Sequence, residues 1–357
     1  RVDQPDVGER ADRTGEGRDA SATCGRSERR GVAWRRRLGV GGPGDRVHRR
    51  PTVPPGGACS VGVMDVGRVG IWTGQLDLQP AARAREVAAE LDELGYGALW
   101  VPEAVGRDAV THAAMLLDAT DRMVVATGVA NIYGRLPNVA GMAQRLLADD
   151  SGGRFLLGLG VSHGPMVEGM LKQRWERPLS YMRSYLDGLD DTFIVSPAPA
   201  EDPPRVLAAL GPRMLELAAA RAWGALTYFV PVKHTPIARE HLGDGRMLLV
   251  AQAAVLSTDR EVARDAARKH MAVYLTLPNY VNNLRRLGWD DDDLAGGGSD
   301  VLVDALVAWG EPDAVAARVA EHHAAGADHV CVQVLDADVT ALPLEQWRAL
   351  APALLVS

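Results

Sequence analysis

Eight short runs of almost unbroken apolar residues, most of them followed by a stretch of helical periodicity, constrain this chain more than any other feature. The runs are RVGIW (68–72), GALWVP (97–102), MVVATGVA (123–130), RFLLGLGV (154–161), RVLAAL (205–210), ALTYFV (225–230), MLLVAQAAVL (247–256) and HVCVQVL (329–335). Strands that show one face to water alternate apolar and polar residues; strands covered on both faces, as in a parallel sheet, do not. Helical patterns occupy 80–94, 137–150, 212–222, 259–271 and 311–326. Three junctions, at 94–101, 222–229 and 324–332, put Gly near a helix end with a strand directly after it, the signature of a short αβ turn. Eight such units over 64–357 predict a single closed (β/α)8 TIM barrel. Two longer stretches read as insertions. One covers 164–200, after the fourth strand, with a helix around 177–189. The other covers about 274–300, after the seventh.

Residues 1–63 have a different character. They hold 13 Arg, no Lys and 8 acidic residues, a single Leu, no Ile and one aromatic, Trp34. Such a segment cannot bury enough apolar surface to offset its ordering entropy, and it is expected to be disordered. Arg29-Arg30 is followed by no apolar stretch, and Cys59 is preceded by none, so neither a twin-arginine signal nor a lipoprotein site is written there. The simplest expectation is upstream translated sequence, with Met64 as the start of the folded domain. The whole chain carries a net charge of −7, which argues against nucleic acid as the main partner. No apolar run approaches the ~20 residues of a membrane helix; even 247–256 is broken by Gln252. Cys24, Cys59 and Cys331 are too few and too scattered for a disulfide framework or a zinc knuckle. These features together predict a cytoplasmic enzyme.

The sharpest local motif is Gly160-Val161-Ser162-His163-Gly164, a GxSxG directly after a strand, as in the nucleophile elbow of serine hydrolases. Asp304 and His329 follow in the order a triad would need. Gly164-Pro165, however, is expected to prevent the helix that an elbow requires. Gly158-Leu159-Gly160 lacks the third glycine of a dinucleotide fingerprint. Neither a P-loop nor an HExxH is present, and His322, His323 and His329 are not spaced for a shared metal. Asp290–Asp293 are consecutive rather than spaced, which fits a solvated loop better than a calcium site.

In a barrel, chemistry gathers where strands end. That rule nominates Trp72, Thr73, Glu103, 128–131, Ser162, His163, Gly211, Tyr228 and Gln333. His163 is the best general acid or base among them, because imidazole titrates near neutrality. Ala209-Leu210-Gly211-Pro212, opening a helix with Arg213 in its first turn, is a candidate phosphate seat.

At the segments 94–109, 124–135, 153–165, 205–219 and 326–335 the sequence resembles the luciferase-like barrel superfamily. Within it the likeness is to the coenzyme F420 (deazaflavin)-dependent oxidoreductases. The resemblance implies a non-prolyl cis peptide at Gly128-Val129 behind the cofactor ring, and ring or ribityl contacts from Asn131. It also implies that Val161, Ser162 and His163 run beneath the cofactor, and that Ala209, Leu210, Gly211, Pro212 and Arg213 bind its phosphate. Family members often carry a His at the end of the second strand, where this chain has Glu103-Ala104. FMN-using relatives tend to have an Arg where this chain has Val161 and Ser162, which favours the deazaflavin. The expected reaction is hydride transfer between C5 of the deazaflavin and a small organic substrate. His163 would move the compensating proton, and Glu103 would fix polar groups on substrate or ring. Trp72, Tyr133, Tyr228 and the 274–300 insertion would line the substrate pocket. The alternatives are an FMN-dependent monooxygenase on the same barrel, a non-catalytic cofactor-binding barrel and, more distantly, a hydrolase using Ser162. Ala- and Leu-rich helices suggest a homodimer.

Overall fold

The computed structural model describes residues 64–355, so the readings made of residues 1–63 lie outside the described residues. Among the described residues there are ten strands: β1 (Val69–Trp72), β2 (Ala98–Val101), β3 (Val124–Thr127), β4 (Ala130–Asn131), β5 (Phe155–Gly160), β6 (Arg205–Ala208), β7 (Gly224–Tyr228), β8 (Met247–Val255), β9 (Val307–Trp309) and β10 (His329–Val334). All pairings are parallel. β10 pairs with β8 from His329↔Leu249 and with β1 from Val69↔Val330, which closes an eight-strand barrel. Two short strands lie off the ring: β4 pairs with the end of β5, and β9 with the end of β8.

Side chains alternate across this sheet with period two. Along β2, Ala98 and Trp100 join an interior cluster with Leu156, Val206, Leu249 and Cys331, while Leu99 and Val101 join the outer core under the helices. Both faces are covered, which is why the strands read as continuous apolar runs. Near the amino-terminal end, Trp100 donates its indole N–H to His329 Nε2 at 3.1 Å, and His329 Nδ1 donates to the Gly67 carbonyl at 2.8 Å. A groove of about 670 Å³ also opens at that end, between Gly67, Gly97, Val319, His323 and Leu355. It lies away from the strand ends where barrel chemistry is done.

The structure departs from the sequence reading at four places. The third strand stops at Thr127, and the chain resumes pairing only at Ala130, with a cis peptide between Gly128 and Val129 where the resemblance puts one. A helix does begin at Gly164 (Gly164–Gly169), because Pro165 falls in its first turn, where the missing N–H costs nothing. Gly95 and Gly326 adopt the left-handed conformation expected at helix ends (φ 97° and 106°). Gly224 does not: it opens β7, and a Cβ there would lie 2.1 Å from the Met247 carbonyl oxygen. Finally, the 274–300 insertion is mostly helical, with Pro278–Arg286 its longest piece, and is followed by the unforeseen β9. In that insertion the Asp290 side chain caps a short helix at Asp293 N, and Asp291 pairs with Arg285. Among the described residues no group of three or more His, Cys, Asp or Glu could hold a metal ion.

Candidate active site

The carboxy-terminal ends of the strands converge on the break in the third strand. The inward positions of β5 above Leu156 are Gly158 and Gly160, and Val129 fills the room they leave. A Cβ on Gly158 would meet the Thr127 carbonyl oxygen at 2.0 Å and Val129 Cγ1 at 3.1 Å. On Gly160 it would meet Val129 Cγ2 at 2.5 Å. Thr127 ties the same segment down, its hydroxyl donating to the Gly158 carbonyl at 2.7 Å and accepting from the Gly158 N–H at 2.8 Å. From the barrel interior, the Trp72 indole N–H donates to the Gly128 carbonyl at 2.9 Å. Gly128 and Val129 remain partly exposed. The outcome is a fixed shelf of peptide backbone and valine methyls at the barrel mouth, against which a flat ring can lie.

Beside the shelf rises an aromatic wall. Trp72 packs on Tyr228 with ring centres 5.2 Å apart, and Tyr228 packs on Tyr274 at 5.3 Å. Tyr228 donates its hydroxyl proton to Gln333 Oε1 at 2.8 Å and accepts from the Tyr274 hydroxyl at 2.9 Å. His270 Nε2 lies 3.4 Å from the same oxygen, and burial pushes the His270 pKa down to about 4, so it stays neutral. Tyr280, from the insertion, packs against the His163 ring at 5.5 Å. Burial lowers the His163 pKa, and a hydrogen bond to the Asn279 side chain partly offsets this. His163 is thus a neutral, partly exposed imidazole beside the shelf.

The other predicted residues fall into place unequally. Glu103 spends both oxygens internally. Oε2 accepts the Asn131 N–H at 2.6 Å, and Oε1 accepts the Ala109 N–H at 3.3 Å together with the Arg135 guanidinium. Burial raises its pKa against the opposing pull of Arg135 and the two N–H donors. It braces β4 from behind and offers no free polar atom. Asn131 Oδ1 accepts the Tyr133 N–H at 2.9 Å. Tyr133 itself is drawn away from the wall and stacks on Tyr181 at 4.3 Å. The Val161 carbonyl accepts from the Trp175 indole at 2.8 Å, and Ser162 turns the chain with φ 53°. Ser162 follows the last residues of β5, whereas His329 opens β10 at the opposite end of the barrel, and Asp304 is bound to Arg264 and Trp309. The Ser162–His329–Asp304 triad is therefore not formed.

Ala209 N–H donates to the Leu226 carbonyl at 3.0 Å, which directs the chain into the turn before the helix Pro212–Arg221. Gly211 is that helix's N-cap and brings no side chain; Pro212 has no N–H and the Met214 N–H donates to the Gly211 carbonyl at 3.1 Å, which leaves the Arg213 N–H to meet an anion. The Leu210 carbonyl accepts from His234 Nε2 at 2.9 Å. The site also brings in residues that sequence reasoning did not single out: His270, Tyr274, Asn279 and Tyr280. Three tyrosines fall between 228 and 280 in a chain with seven, and that concentration was the available signal.

A closed (β/α)8 barrel with a broken third strand and a glycine-lined shelf at its carboxy-terminal face is a TIM barrel of the luciferase-like kind. Residues 60–329 match the luciferase-like monooxygenase family model, and the chain belongs to that family. Among its relatives is a Mycobacterium tuberculosis protein named provisionally as a coenzyme F420-dependent oxidoreductase. It is 28% identical, with 81% of this chain and 99% of the relative covered. A 5,10-methylenetetrahydromethanopterin reductase of Methanolobus tindarius is 27% identical over 68% of this chain and 87% of its own length. Of solved structures, an F420-dependent secondary alcohol dehydrogenase superposes with a TM-score of 0.64 at 12% identity, covering 80% of this chain and 98% of that one. The F420-dependent tetrahydromethanopterin reductase of Methanopyrus kandleri gives 0.63 at 17%, covering 81% and 99%. Among the described residues no helix is long and apolar enough to cross a membrane.

Proposed function

We propose that this chain is an F420-dependent oxidoreductase that transfers a hydride between the deazaflavin and a small, uncharged organic substrate. The observation that carries the reading is the shelf: Val129 seated in the space of Gly158 and Gly160, with the Trp72 indole bonded to the Gly128 carbonyl and His163 three residues beyond Gly160. The names of the relatives supply the deazaflavin, and a cytoplasmic setting is part of the same proposal. When bound, the coenzyme supplies a carbon centre that gives or accepts two electrons as hydride. The chain supplies position and dryness. Gly128 and Val129 would support the ring, Ser162 and Asn131 flank it, and the Ala209–Arg213 turn would take its phosphate. Trp72, Tyr228, Tyr274 and Tyr280 would exclude water from the substrate. His163, kept neutral by burial, would accept the compensating proton from the substrate when the substrate is oxidised. In the reverse direction its protonated fraction returns that proton.

Titration of the chain with oxidised deazaflavin coenzyme and, separately, with FMN tests the reading. Trp72, hydrogen-bonded to the shelf, reports binding by fluorescence quenching. Deazaflavin preference is expected. FMN preference, or binding of neither, refutes it. An FMN-dependent monooxygenase is the second reading, favoured by the fold it shares with a Baeyer–Villiger monooxygenase solved in complex with FMN. Against it, Val161 and Ser162 bring no cation to the end of β5. A homodimer would use the exposed stripe Leu136, Val139, Met142 and Leu146, and sedimentation would detect it.

A further inference from the structure

The anion seat at Gly211 has a second side. The guanidinium of Arg286, at the end of the insertion helix Pro278–Arg286, lies over the turn: a methyl on Gly211 would sit 3.5 Å from Arg286 Nη2. Arg286 meets no carboxylate among the described residues, and its one hydrogen bond runs from Nη2 to Asn283 Oδ1 at 2.9 Å. Asn283 is only 2% exposed, and its Nδ2, a donor, has no partner. Below the turn, His234 is 1% exposed; its Nε2 is committed to the Leu210 carbonyl, and its Nδ1 has no partner. A buried amide donor left unpaired is costly, so a site that keeps one beside an unpaired arginine and an uncapped helix start is built for an acceptor. Arg213, the cation expected from the sequence, is exposed on the helix's first turn.

We infer that Arg286 and Asn283 form, with the Gly211–Arg213 turn, a clamp for the phosphate ester of the bound cofactor. The insertion, not the barrel, thereby supplies the charge. The inference rests on the proposed function only for which phosphorylated ring enters; deazaflavin and FMN share the phosphate. The same helix has a second task. Its first turn carries Asn279 and Tyr280, which flank His163, and its last carries Arg286, about 10 Å away at 1.5 Å per residue. One rigid element thus touches the anion at one end and the acid/base group at the other.

The test compares phosphorylated deazaflavin coenzyme with its phosphate-free riboside, and FMN with riboflavin, on the wild-type chain, R286Q and R285Q. The wild type should prefer the phosphorylated member by roughly ten- to a hundredfold, the worth of a charge-assisted hydrogen bond. R286Q should erase that preference and leave riboside affinity unchanged, with a flatter salt dependence. R285Q, whose arginine pairs with Asp291 on the surface, should match the wild type. A preference that survives in R286Q overturns the clamp. So does equal weakening toward both members of a pair, which would report a displaced helix instead. Absence of any phosphate-dependent binding in the wild type overturns it too. If only the FMN pair binds and R286Q erases its preference, the clamp stands and the deazaflavin reading falls.

Discussion

The shelf rests on a single steric relation, and Gly160→Ala tests it directly. The added methyl would approach Val129 Cγ2 to 2.5 Å, about 1 Å inside ordinary carbon–carbon contact. On its other side Ala208 Cβ stands at 3.5 Å, so the alanine cannot lean away. Val129 is β-branched and stiff about χ1, so relief must come from moving the shelf outward toward the ring site. Overpacking of this kind costs about 1–3 kcal/mol. If that cost falls on the cofactor-bound state, affinity drops roughly 5- to 150-fold. If it falls on the fold, the melting temperature drops by roughly 2–4 °C per kcal/mol. Fluorescence titration and thermal unfolding read the two separately. The decisive arm is the double variant Gly160→Ala/Val129→Ala, which removes the methyl that is struck. The two substitutions should be strongly non-additive, the pair recovering much of what Gly160→Ala loses. Additive losses, or a Gly160→Ala protein with wild-type affinity and melting temperature, would refute the account of the shelf.

His163→Ala should lower turnover by roughly 10²- to 10⁴-fold while leaving cofactor affinity nearly unchanged; an unaltered kcat would remove its role. In the oxidative direction, kcat/KM of the wild type should fall on an acid limb with a midpoint below the ordinary histidine value near 6.5, because burial lowers the His163 pKa. Glu103→Gln replaces one acceptor with a donor facing the Asn131 N–H or the Arg135 side. It should cost about 2 kcal/mol of stability with little change in kcat, and the reverse pattern would place Glu103 on the substrate. His270 and His329 titrate near 4 and His322 near 3. All three are neutral when folded and take up protons below about 6.5 when unfolded. Their stabilisation is whole above that pH and is lost as pH falls. Urea unfolding from pH 6 to 4.5 should therefore approach a slope of three protons, about 4 kcal/mol per pH unit, and a slope under one proton would contradict the burial of these rings.

The barrel was legible because both faces of each strand are buried, so every strand announces itself as an apolar run. The helix at 137–150 was legible to its last residue for a related reason, since Pro137 in the first turn and Ser151 beyond the end bracket it. What escaped was decided between segments. Nothing in Gly158 and Gly160 says that Val129, some thirty residues earlier, fills their space. The Pro165 reading failed because a proline that breaks a helix interior is welcome in its first turn.

The site shows the same division more sharply. Residues at strand ends, such as His163 and Tyr228, are positioned by the barrel and could be named from the count of strands alone. Glu103 met the same positional rule, yet its carboxylate is consumed by Asn131, Ala109 and Arg135. Position at the rim is therefore not sufficient, and a free polar atom is the second test, which only packing reveals. Arg286 fails the first test and passes the second. It lies outside every barrel strand, in a stretch whose sequence reads as a polar insertion, and becomes a candidate because it lies over Gly211 with no carboxylate to neutralise it. The insertion thus brings the barrel a cation laid over the Gly211 turn, where Arg213 points to solvent, and an aromatic face against His163. A chain of this family that kept the eight strands but shortened 274–300 should keep the shelf and lose both.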